Sequence, residues 1–253
     1  MRSFGSPILC CLSLLGAVLM GQPAEAASVT LRVMLWGPQA ESPRRPDAPP
    51  VARYHPEHGD DFILDRSTPT PLLRFEDSQE VWVLQPQPGP RGDTIYRNDI
   101  GQPVLRATKL GGLTLFTVDN PDGAAAALGG EAGTLRPAPF MSPNLLFQRM
   151  YQASARASRA AQRVIPFLAI DDATPETATL LADTATVTAE AITKVSHQAN
   201  GKIMLTRVVK VMLARGRKPD ATLNQGALTV IYAPEVGMLG RPSSERIVRL
   251  IVK

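Results

Sequence analysis

Thiols and imidazoles are scarce in this chain, which has two cysteines and three histidines in 253 residues. Both cysteines, Cys10 and Cys11, lie in the apolar opening segment. Once that segment is removed no thiol remains, which excludes a disulfide, a thiolate metal site and a cysteine nucleophile. His55, His58 and His197 are the whole supply for a Ser-His arrangement, and neither a G-x-S-x-G elbow nor an S-x-x-K pair accompanies them. The glycine patterns G-x-G-x-x-G and G-x-x-x-x-G-K-[ST] are missing too, which removes the common phosphate cradles. Aromatic residues make up 5% of the chain, too few for a long sugar cleft. No apolar run reaches the ~20 residues that span a bilayer.

The opening "MRSFGSPILCCLSLLGAVLMGQPAEAA" places Arg2 first, then the apolar run Ile8 to Met20, then Ala24-Glu25-Ala26. This is the order of a secretory signal peptide, and the expectation is a signal over residues 1–26 and a periplasmic or secreted product. No membrane span is expected after signal removal. The formal charge of +4 is unchanged by cleavage because Arg2 and Glu25 leave together. That weak excess permits an anionic envelope component or another envelope protein as partner. Nucleic acid is not expected, since the chain reads as exported and lacks a dense basic run.

Residues 27–50 read as a short strand, "SVTLRVMLW", and a proline-rich linker, "GPQAESPRRPDAPP". Residues 51–120 carry "FILDRS", "LLRF", "VWVLQP", "TIYRN", "VLRATKL" and "LTLFTV", separated by Gly/Pro/Asp/Asn turns, and predict an antiparallel meander. Residues 121–140 are a Gly/Ala/Pro-rich connection. Over residues 141–253 two helices are expected, started by Ser142-Pro143 and Thr174-Pro175. The first has Leu146, Met150, Ala153, Ala157, Ala160 and Val164 on one seam. "KIMLTRVVKVMLA", "ALTVIYA" and "RIVRLIV" complete the chain as three strands. The expected fold is therefore α+β: an antiparallel β-meander followed by a helix pair packed on a small antiparallel sheet.

Candidate chemistry is thin. "PGPRGDTIYRNDIG" alternates Arg91, Asp93, Arg97 and Asp99, and turn chemistry alone accounts for each residue type. Glu76, Asp77 and Glu80, with Asp93 and Asp99 in nearby turns, are the acids a glycoside hydrolase would draw on, with Trp82 and Tyr96 to stack on a sugar. Arg149, Arg156 and Arg163 recur every seven residues and could face an anion, although a solvated helix flank explains them as well. His55, His58 and Asp60 in "YHPEHGDD" offer metal-ligand types in a loop without a required spacing; no metal and no cofactor are expected.

The stretches "FILDRS", "LLRFEDSQEVWVLQPQPGPRGDTIYRND" and "LRATKLGGLTLFT", between Phe62 and Thr117, resemble an uncharacterised family of exported proteobacterial proteins. It is a domain-of-unknown-function family without an assigned activity, ligand or catalytic residue. The resemblance implies a Gram-negative envelope setting and carries no site residue onto this chain. The expected role is a non-catalytic envelope binding or structural module. The alternative is a hydrolase of an envelope polymer acting through acids near Glu76 and Asp99. Convergence of those acids in a deep pocket would favour the enzyme.

Overall fold

The computed structural model describes residues 48–253. The signal segment, the Ser28–Trp36 strand and nearly all of the linker lie outside the described residues. The short branched and aromatic runs form strands: β1 (Val51–Pro56), β2 (Phe62–Asp65), β3 (Leu72–Phe75), β4 (Trp82–Val83) and β5 (Gln85–Pro88). They are followed by β6 (Thr94–Arg97), β7 (Pro103–Ala107), β8 (Leu113–Leu115) and β9 (Ala124–Glu131). All nine join one antiparallel sheet in the order β4-β3-β2-β1-β9-β8-β7-β6-β5. β4 and β5 end that order, yet only Leu84 separates them in the chain. The two edges are thereby drawn together and the sheet curls almost into a barrel. Alternation then sorts side chains. Leu64, Leu73, Leu105 and Leu115 fill the inside, and Ile63 and Leu72 turn outward under Leu135.

The alternating charges of Pro88–Gly101 do sit in and beside turns. Arg91 and Gly92 take left-handed φ of 58° and 79°, a conformation that costs glycine little. Asn98 Oδ1 accepts from the backbone N–H groups of Ile100 (3.2 Å) and Gln102 (2.9 Å), closing the next turn. The expected connection over residues 121–140 is corrected in part: "AAAALGGE" within it is β9, a central strand paired with β1 and β8. Its low intrinsic strand preference is overridden by partners on both sides.

The helices are α1 (Pro143–Ala161), α2 (Pro175–Ser196), α3 (Gly201–Leu205) and α4 (Ser244–Val252). Ser142 caps α1 by accepting from Leu145 N, and Thr174 forms a capping box with Thr177. Ala153 and Ala157 are buried where α1 meets α2, while Val164 lies beyond the helix and is exposed. α2 is buried over most of its surface. Thr184 and Thr188 satisfy their hydroxyls by donating to the carbonyls of Leu180 and Thr184, each at 2.7 Å, which allows threonine in a buried helix.

α2 packs on β11 (Lys210–Arg215) and β13 (Ala227–Tyr232), members of a second sheet with β10 (Phe167–Ala169) and β12 (Asp220–Asn224). Only β12–β13 is antiparallel; β10–β11 and β11–β13 are parallel, so the small sheet is mixed. The expected last strand, "RIVRLIV", is instead the helix α4. Ser243 caps it, and Ile247, Val248 and Ile251 are buried at helical spacing. A run this short and β-branched is ambiguous by pattern, and the cap decides it.

Candidate functional site

Strand directions around the sheet send loops 57–61, 76–81, 98–102 and 116–123 out of one end of the barrel, and turns 89–93 and 108–112 out of the other. The first end faces α2 and α4. Glu80, fully buried, reaches the N-terminus of α4, where Ser244 donates to it from its backbone N (3.0 Å to Oε1) and from its hydroxyl. Asp99 Oδ2 accepts from Ser243 N at 3.1 Å and Arg246 Nε at 3.0 Å. Two carboxylates of the barrel thus satisfy open amides of a helix start and oppose its positive end. On the same seam Arg241, 4% exposed, donates to Asp183 on α2 and to the carbonyl of Val81.

Beside this interlock opens a cleft of about 530 Å³. Phe75, Trp82 and Phe116 form an apolar wall. Phe75 stands edge-on to Trp82 at 6.0 Å, and the Lys194 ammonium lies 5.1 Å from the Trp82 ring centre. Lys194 Nζ donates to Glu245 and to Ser244 Oγ, both at 2.9 Å, and stands 3.6 Å from Glu80. Burial works against its charge, but Glu80 and Glu245 outweigh that and raise its pKa above the usual lysine value. Burial pushes the Glu80 carboxyl up, against the pull of Lys194 and Arg241. Glu190 lines the cleft from α2 and is held by Arg156 at 2.5 Å. Asp60, Asp77 and Asp119 come from three different barrel loops. Five carboxylates therefore face one ammonium, and that ammonium is already paired.

Of the acids a glycoside hydrolase would draw on, only Asp77 lines the cleft. Glu76 forms an exposed pair with Arg53 (3.0 Å), and Asp99 holds α4. Asp93 pairs with Arg106 (2.5 Å) at the opposite end of the barrel, one strand length from Asp99. Trp82 lines the cleft, whereas Tyr96 is buried inside the barrel and cannot stack on an external sugar. His55 Nδ1 lies 2.7 Å from Asp61 Oδ2, while His58 and Asp60 line the cleft. Among the described residues, no three His, Cys, Asp or Glu side chains assemble as a metal set.

The solvated arginine flank is corrected in part. Arg156 is drawn in by Glu190 because the alanine seam brings α1 close to α2. Arg163 donates to the carbonyls of Leu205 and Val208, closing the chain after α3. Glu190, Lys194, Glu245 and Asp119 were not anticipated. One signal was available: Glu190 and Lys194 are spaced i,i+4 in the otherwise uncharged "TATVTAEAITKVS", where a charge pair marks a polar edge on a buried helix.

A family model described as a domain of unknown function (DUF4908) matches residues 30–251. The match extends past Phe62–Thr117 to take in both the barrel and the helical layer. No curated protein and no solved structure matches the chain. The chain belongs to this domain-of-unknown-function family.

Proposed function

We propose that this chain is an exported periplasmic protein and a non-catalytic binding module of the cell envelope. Its cleft takes a donor-rich ligand, a sugar or amino-sugar unit with hydroxyl or ammonium groups and a flat C–H face. The observation that carries this is the pairing of an aromatic wall with carboxylates from three barrel loops and two helices. Ionised carboxylates only accept hydrogen bonds, so they call for donors, and the Trp82 side of the cleft offers a stacking surface. An anionic polymer would be repelled there. The basic–apolar–small order of residues 1–26 supports export. The hydrolase reading required two acids converging across a scissile bond, and Glu76, Asp93 and Asp99 are each engaged elsewhere.

Trp36 and Trp82 are the two tryptophans, so Trp36→Phe leaves Trp82 as sole reporter. Titration of that variant with a glucosamine oligomer should change Trp82 emission saturably. Asp77→Asn with Asp119→Asn should weaken the binding about tenfold, the loss of roughly 1.4 kcal/mol. An absence of saturable change contradicts the binding reading, and release of shortened oligomers would favour the hydrolase.

A further inference from the structure

A second cavity of about 340 Å³ opens on the same seam, where Val81 turns away from the face used by Trp82. It lies between the outer surface of β3, the connection before α1, and the first half of α2. Two guanidiniums line it, Arg74 from β3 and Arg149 from α1. None of the ion pairs among the described residues involves either one. The lining carboxylate, Asp183, is already taken by Arg241. Arg74 Nε is buried and has no hydrogen-bond partner among the described residues. A buried charged donor without an acceptor is destabilising, and such groups are uncommon unless something fills the gap. Arg156 and Arg163, on the same helix or just after it, each find an acceptor through Nη2, although Arg156 Nη1 stays unpaired; Arg149 has none among the described residues. Thr179 and Gln79 add polar groups to the cavity, and Leu135, Met141 and Met238 give it an apolar side.

We propose that this cavity is an anion site for a phosphate-bearing ligand, with Arg74 and Arg149 gripping the oxygens and the apolar side seating an attached chain. Arginine suits the task because its fork of N–H groups matches an oxyanion, and the partial burial of Arg74 spares it from full screening. The site does not rest on the carboxylate-lined cleft, which has the opposite charge and different residues.

The shared chemistry is a phosphate oxyanion, free or as a lipid headgroup, and calorimetry at low salt separates the two sources. The probes are inorganic phosphate, the short-chain lipid dihexanoyl phosphatidylglycerol, and dihexanoylglycerol, the same lipid without its phosphate headgroup. The phosphatidylglycerol should bind at least tenfold more tightly than the dihexanoylglycerol. Arg149→Ala, an exposed position, should weaken it about tenfold without lowering the melting temperature of the unliganded protein. Arg74→Gln should weaken it further. Inorganic phosphate binding as tightly as the lipid would keep the anion site and assign it to free phosphate. Equal affinity for both lipids together with no phosphate binding, or binding unchanged in both variants, overturns the proposal.

Discussion

Asp65 and Glu80 are both fully buried carboxylates of the barrel, and their surroundings push them in opposite directions. Burial favours the neutral form of Asp65. However, its Oδ1 accepts from Ser67 N at 3.0 Å and Ser67 Oγ at 2.5 Å, and its Oδ2 accepts from Thr134 Oγ1 at 2.6 Å and Leu135 N at 3.0 Å. Together these lower its pKa to about 2. Glu80 has two cations in its neighbourhood, yet its direct donors are the two groups of Ser244, and burial prevails to raise its pKa. Four donors aimed at Asp65 outweigh its desolvation, whereas two donors and the nearby cations do not outweigh the deeper desolvation of Glu80. The two sites differ in role accordingly. Asp65 pins the segment before α1 to the barrel as a permanent anion, and Glu80 joins barrel to α4 where a proton can still be taken up.

The largest expected effect tests the seam. Arg241→Ala leaves Asp183 and the Val81 carbonyl without their buried partner and should cost about 3–5 kcal/mol in urea melts; a cost under about 1 kcal/mol would mean the interlock is dispensable. Asp65→Asn replaces two acceptor positions by a donor that faces Ser67 or Thr134 and Leu135, and should cost about 1–3 kcal/mol. Smallest is Glu76→Ala, which breaks the exposed pair with Arg53 and should cost under about 1 kcal/mol. An equal loss in Asp65→Asn and Glu76→Ala would erase the distinction between directed buried bonds and a surface pair.

Much of this architecture was legible in local chemistry. Ser142-Pro143 and Thr174-Pro175 mark both long helices because capping and proline act within four residues, and Ala153 and Ala157 mark their contact. Turn residues delimit β2, β3 and β6 to β8. β1 and β9 were not legible: His55, Pro56 and an alanine-glycine run have little strand preference, and their strand state comes from each other. The site was hardest to read. Asp60, Asp77, Asp119, Glu190 and Glu245 belong to five separate segments, joined only when barrel closure brings one set of loops against α2 and α4. Asp93 and Asp99, neighbours in sequence, end at opposite ends of the barrel because a strand intervenes.

The central claim, that directed donors favour the charged form of Asp65 while burial favours the neutral form of Glu80, is tested most directly by pH. Urea midpoints of the wild type, Asp65→Asn and Glu80→Gln would be compared from about pH 2 to about pH 8. Asp65 has a folded pKa below its ordinary 3.8, so its contribution is complete above that value and is lost as pH falls toward about 2. The folded pKa of Glu80 lies above its ordinary 4.5, so its contribution is complete below that value and is lost as pH rises through the raised one. The wild type's advantage over Asp65→Asn should therefore shrink on acidification, and its advantage over Glu80→Gln should shrink as pH rises. Two advantages that change in the same direction, or not at all, would contradict the account.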